Sequence, residues 1–204
     1  MRKESLPEGC CDALDAPRKK AATRIFETAL ELFYQRGIRA VGVDEIVCQA
    51  GVTKPSLYRS FESKDALVAA CLESFAAEGM AEFDEKLEAA GPDPMARLRA
   101  IIAHMAGELE EPGFHGCLMS NAAVEFRDDG HPGRLVIEAC KAKFRERLRG
   151  IIDELGAEEP ETLTDGLILL IEGAYSAHIV FGKRGPANAF VLTAERLVAS
   201  HMQA

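Results

Sequence analysis

Tryptophan is absent from this 204-residue chain, and tyrosine occurs only three times. There is no Gly-rich phosphate loop, no HExxH and no GxSxG, so the short motifs of nucleotide, zinc-hydrolase and serine-hydrolase chemistry are missing. Glu125, Asp128 and His131 could form an acid–base set, but they lie near a loop with no evident nucleophile. No stretch alternates apolar and polar residues as a strand does, and no repeat or low-complexity segment occurs. No uninterrupted apolar run approaches the ~20 residues of a membrane span. The opening MRKESLPEGCCDALDAPRKK holds no apolar core of a secretory signal. These absences predict an all-α, cytoplasmic protein that is not an enzyme and carries no cofactor.

Cysteine is present without a framework. The six thiols, at positions 10, 11, 48, 71, 117 and 140, match no zinc or disulfide spacing. A chain of this length has no need of covalent staples, so free thiols in a reducing compartment are expected. Cys10–Cys11 is an adjacent pair that could hold a metal or oxidise.

What is present is a core and an uneven charge. Hydrophobic residues make up 48%, enough for full burial, and the net charge is −9. Yet residues 17–65 carry nine Lys/Arg against six Asp/Glu, the first sixteen residues carry two against four, and the remainder is −10. A basic section on an acidic body implies two tasks in two domains.

Periodicity divides the chain further. Residues 1–16 have none and read as a disordered tail. Ala22, Ile25, Phe26, Ala29, Leu30 and Phe33 recur at helical spacing, and Gly37 ends that helix. Residues 43–50 form a short helix with Ile46, Val47 and Ala50 on one face, stopped by Gly51. Thr53 is placed to cap a third helix through its hydroxyl, with Pro55 in the first turn, where no N–H partner is lost. Leu57 and Phe61, four apart, point into a small core. Ser63 caps a long helix running to residue 90. Helices are then expected over 95–109, 116–126, 134–155, 163–181 and 187–202, nine in all, separated by breaks such as Gly91-Pro92-Asp93-Pro94 and Glu110-Glu111-Pro112-Gly113.

Ala29, Phe33 and Gly37, then Val43-Asp44-Glu45-Ile46-Val47, Ala50-Gly51-Val52, Lys54, Leu57-Tyr58, Phe61 and Ser63-Lys64-Asp65-Ala66-Leu67 recur together at fixed offsets. The stretch from Arg18 to Leu67 resembles the DNA-binding domain of the tetracycline-repressor (TetR) family of bacterial transcriptional regulators. Beyond it, Gly116-Cys117-Leu118 with Asn121 and Glu125 is similar to a segment found in part of that family. The resemblance implies a helix-turn-helix head over 17–62 and a ligand-binding, dimerising body over 63–204. It also implies a homodimer joined through 163–181 and 187–202, a palindromic double-stranded DNA operator and a small-molecule effector. Where many members have Thr or Ser, this chain has Val41 and Gly42. Ser60 stands where His or Tyr is frequent.

In a helix-turn-helix the first residues of the second helix meet base edges. Lys54 can donate to guanine O6/N7, Ser56 can pair with several bases, and Pro55 offers an apolar face to a thymine methyl. Thr53, Tyr58, Arg59 and Lys64 are placed for phosphates, with Arg18, Lys19, Lys20 and Arg24 as possible flanking contacts. In the body, polar or bulky residues on apolar faces are the candidate effector contacts: His104, Met105, Cys117, Asn121, Phe126, Tyr175 and His178. The expected effector is apolar or aromatic. Cys117, near a helix start and close to His115, is also a candidate sensor of electrophiles or oxidants. The alternative to a ligand-responsive repressor is a helical ligand-binding or adaptor protein whose head has lost sequence-specific DNA binding.

Overall fold

The computed structural model describes residues 20–126 and 128–202. The 1–16 tail, the Cys10–Cys11 pair and the flanking Arg18 and Lys19 lie outside the described residues. Those described hold nine α-helices and two 3-10 turns, with no strand. The helices are α1 (Ala21–Arg36), α2 (Val43–Gln49), α3 (Lys54–Ser60), α4 (Lys64–Ala90), α5 (Pro94–Glu108), α6 (Leu118–Glu125), α7 (Pro132–Leu155), α8 (Pro160–Phe181) and α9 (Phe190–Ser200). The all-α expectation and the number of helices both hold.

The chain falls into two compact units, one ending at Cys71 and one beginning at Leu72. The first contains α1, α2, α3 and the opening of α4. Its core is Ile25, Ala29, Leu32, Phe33, Ile38, Val41, Ile46, Leu57, Leu67 and Val68, all 5% exposed or less. Val41 is completely buried and contributes packing to this core. Leu57 is also completely buried, but Phe61 is only half-buried, because it already leaves α3 in extended conformation. Cys71 closes this unit from α4, and burial pushes its thiol up to about 12. We expect Cys71 to resist iodoacetamide at pH 8 while the exposed Cys48 reacts, and to be alkylated only after denaturation. Mass mapping of the labelled peptides checks this.

The second unit is a helical body whose core joins Phe83 of α4, Leu98, Ile101 and Ile102 of α5, Leu148 and Ile152 of α7, Leu163, Leu167 and Ile171 of α8, and Phe190, Ala194 and Val198 of α9. Several boundaries differ from the sequence expectation, for one reason. Pro94, Pro132 and Pro160 each begin a helix rather than lying in the preceding break. Proline at the first helical position gives up only an N–H that has no partner there. Asp93 completes one such start by accepting from the Ala96 N–H at 2.9 Å. By contrast residues 116 and 117 precede α6, and residues 182–189 form two 3-10 turns before α9, which starts three residues later than expected.

Pro160–Arg184 is, by length and composition, apolar enough to cross a membrane, although no single unbroken run announces it. Its charged residues show what it does here. Lys141, Arg145 and Arg149, four apart on α7, meet Glu172, Asp165 and Glu161 on α8 at 2.5, 2.6 and 2.9 Å, as a ladder between two antiparallel helices. The basic face of α7 is therefore turned in part onto its neighbour.

Candidate functional site

The head presents α3 outward. Leu57 anchors it to the core, and Lys54, Pro55, Tyr58 and Arg59 are exposed, with Tyr58 49% accessible. Gly51, at φ +60°, makes the turn between α2 and α3. Only a residue without a Cβ enters this left-handed region freely. Arg24 stabilises that turn from α1, donating through Nη1 to the carbonyls of Ala50 (2.9 Å) and Gly51 (3.2 Å). Arg24, expected to flank the DNA backbone, is thus engaged within the head in the free protein. Its guanidinium fastens the end of α2, whose terminal carbonyls need a donor. Lys20 stays exposed at the start of α1.

The side chains expected on DNA are not idle in the free protein. The Thr53 hydroxyl does not cap α3; it lies 3.0 Å from the Ser56 hydroxyl, and its carbonyl alone receives the Ser56 and Leu57 N–H groups. Arg59 donates to Ser56 Oγ at 2.9 Å. Lys64 donates to the Ile38 carbonyl at 2.7 Å and sits 5.9 Å from the centre of the Phe33 ring. It ties the start of α4 to the turn after α1, so its charge is partly spent inside the head. Ser63 caps α4 as expected, accepting from the Ala66 N–H at 3.0 Å. Lys54 is bound by Asp44 of α2, with Nζ 2.7 Å from Oδ1 and 3.0 Å from Oδ2. That hydrogen bond and charge hold the Lys54 ammonium above its ordinary pKa. Glu45, next to Asp44, turns the other way and pairs with Arg36 of α1.

In the body, three of the seven candidate effector residues, Met105, Tyr175 and His178, are linked through contacts of Tyr175 and Phe114. Phe114 packs edge-on against Tyr175 (5.2 Å between ring centres) and against His178 (5.6 Å), while the Tyr175 hydroxyl donates to Glu108 and lies 2.8 Å from Met105 Sδ. Burial and the Glu108 carboxylate raise the Tyr175 hydroxyl far above its usual value, so it remains a donor at all working pH. Cys117 stands at the start of α6, and Lys141 Nζ donates to its sulfur at 3.5 Å while pairing with Glu172. Ser120 donates to the same carboxylate at 2.7 Å. Although burial opposes the charge on Lys141, Cys117 and Glu172 together raise its pKa.

The other three candidates are elsewhere. His104 faces Glu82 at 3.7 Å. Asn121 donates to the His115 carbonyl at 2.8 Å. Phe126 is stacked on His131 at 4.0 Å. Sequence reading missed Glu108, Phe114, Ser120, Lys141 and Glu172. A lone glutamate inside the apolar run of α8 was the one available signal. A separate cavity of about 430 Å³ opens between α5 and α9, lined by Met95, Leu98, Arg99, Ile102, Glu195 and Val198 among others. It is not formed by the seven candidates.

Gly116 sets the approach to Cys117. Its φ is +85°, and a Cβ there would lie 2.6 Å from Ile179 Cδ1. We expect Gly116→Ala to lower stability by about 1–3 kcal/mol, mainly from the left-handed backbone, since the isoleucine tip can move. Thermal unfolding measures it.

Residues 25–71 match the model of "Bacterial regulatory proteins, tetR family". The chain is 31% identical over 108 residues to the HTH-type transcriptional repressor DhaR of Mycobacterium sp. (strain GP1), covering 53% of each protein. It is 28% identical over 206 residues to the transcriptional regulator AcuR of Cereibacter sphaeroides, covering 97% of this chain and 91% of that one. In the first curated relatives that it matches, the aligned segment spans about half of their length or less. Among solved structures, a TetR-family transcriptional regulator from Streptomyces coelicolor superposes with a TM-score of 0.86 at 27% identity, over 92% of both chains.

Proposed function

We propose that this chain, whose residues 25–71 match the tetR family of bacterial regulatory proteins, is a cytoplasmic transcriptional repressor of that kind and not an enzyme. It binds a palindromic operator as a homodimer and is released by a small apolar or aromatic effector. The observation that carries this is the short α3, pinned by the buried Leu57 and leaving Lys54, Pro55, Tyr58 and Arg59 on an open face. A recognition helix needs that combination of rigid seating and free polar side chains at its start.

Dimerisation is supported by α8 and α9. With Glu161, Asp165 and Glu172 engaged by α7, the outward stripe of α8 contains Leu169, Gly173, Ser176 and Val180. Leu169 is 73% and Val180 69% exposed, and Leu192 of α9 is 53% exposed. Such a face on two adjacent helices suits a four-helix interface with its own copy, and a two-fold dimer matches half-sites ~34 Å apart. The effector contacts proposed are Tyr175 and His178 around Phe114, Met105 against the Tyr175 hydroxyl, and Cys117 beside Lys141. An effector acts only if it binds the DNA-competent and DNA-incompetent arrangements with different affinity.

Selection of duplexes from a random library by the purified protein, at moderate salt, tests this reading. We expect an inverted repeat to emerge, and Tyr58→Ala to weaken binding to it about tenfold, through loss of a backbone contact, without altering the preferred bases. Failure of a folded dimer to enrich any sequence, with or without candidate ligands, would favour the adaptor alternative.

A further inference from the structure

We propose that Asp44 is a specificity-determining residue of the head, forming with Lys54 a single donor–acceptor unit that reads one G·C pair. The inference rests on the operator-binding reading above.

Three observations carry it. The pair is bidentate, at 2.7 and 3.0 Å, and joins the first turn of α2 to the first residue of α3. Both partners are solvated, with side chains 50% and 81% exposed. An ion pair so exposed contributes little to folding, and the head has other ties between these elements, including the Arg24 contacts and the buried Leu57. The pair is thus expendable as a staple, yet it stands at the part of the head that faces base edges. Glu45, one residue on, is spent on Arg36, so the two neighbouring carboxylates serve different elements.

The chemistry of the pair fits a base pair better than a phosphate. Lys54 has three donors and Asp44 has further lone pairs, so each can keep its partner and engage DNA as well. In the major groove a G·C pair presents the guanine N7 and O6 acceptors beside the cytosine N4 donor. Lys54 toward guanine and Asp44 toward cytosine satisfy that pattern together. Against phosphate, or against a base pair without the cytosine amine, Asp44 has no donor to meet and repels the backbone. The pair has no net charge and so attracts non-specific DNA less than an unpaired lysine would. Asp44 therefore weakens wrong complexes more than it strengthens the right one.

The test compares wild type, Asp44→Asn and Lys54→Met in the same duplex selection, followed by titration of the enriched repeat and of a scrambled duplex across salt. For Asp44→Asn we expect about tenfold tighter binding to the scrambled duplex and a salt slope steeper by about one counterion, because Lys54 is freed for phosphate. We also expect it to lose the G·C preference at one symmetric position, the same position that Lys54→Met relaxes. Asp44→Ala, matched in thermal unfolding, should behave alike. Unchanged base preferences and unchanged scrambled-duplex affinity in Asp44→Asn overturn the proposal. Effects of the two substitutions at different base pairs overturn the shared reading. No enriched repeat from the wild type removes the operator reading itself, and this inference with it.

Discussion

Leu169→Glu combined with Val180→Glu is expected to make the protein monomeric at micromolar concentration, if the proposed dimer forms through α8 and α9. Both side chains are more than two-thirds exposed in the single chain, on the stripe of α8 that its ion pairs with α7 leave free. In a two-fold interface each substitution appears twice, so four carboxylates would be buried without partners. The loss combines about 1.5–3 kcal/mol for each apolar side chain no longer buried with the desolvation of each new charge. The dissociation constant should rise by at least about a thousandfold, which is roughly 4 kcal/mol. Sedimentation velocity reads the change directly. Far-UV dichroism should stay close to wild type, since neither residue belongs to the core. The monomer should also lose the inverted repeat, because two linked half-sites bind far more tightly than one. A variant that remains dimeric would place the interface on another surface.

Leu57→Ala should be the most damaging single change in the head. Leu57 is completely buried and is the one fully buried side chain of α3. Truncating it removes a transfer contribution and leaves a cavity, at about 2–5 kcal/mol. The first unit is small, and a loss of that size is a large share of what a small domain has. We expect DNA binding to disappear and the head amides to lose hydrogen-exchange protection, while the body, with its own core of α5, α7, α8 and α9, keeps its protection. Isosteric Leu57→Met should retain most binding. Equal loss of protection throughout the chain would mean that the two units unfold as one.

Much of the fold was legible because its signals are local. Helical spacing, Gly37 and Gly51 as stops and Ser63 as a cap all act within a few residues, and the structure keeps them. The outward set Lys54, Tyr58 and Arg59 was legible for the same reason, since Leu57 fixes which face of a two-turn helix is buried. The proline-led helix starts at Pro94, Pro132 and Pro160 were misplaced because a proline reads the same way at the end of a break and at the first helical position. At two of them the preceding side chain caps, Asp93 to the Ala96 N–H and His131 to the Gly133 N–H, whereas Glu159 before Pro160 makes no side-chain cap.

The side-chain partnerships were not legible. In the free protein Arg24, expected beside DNA, holds Ala50 and Gly51, and Lys64, expected on phosphate, holds Ile38. The cluster of Lys141, Glu172, Cys117 and Ser120 draws on three helices and could not be read from any one of them. Among the candidate effector residues, Tyr175 touches Met105 directly and is linked to His178 through Phe114, whereas His104, Asn121 and Phe126 are equally polar or bulky in sequence and have other partners.

By itself the sequence determined the helices, the division into a basic head and an acidic body, and the residues available at the start of α3, because periodicity, capping and charge are properties of neighbours along the chain. Only the tertiary structure decided which charges are free and which are spent. The partners of Lys54, Arg24 and Lys64 lie 10, 26 and 26 residues away, and whether such a cation meets a phosphate, a carbonyl or Asp44 depends on distances that exist only once the helices have packed.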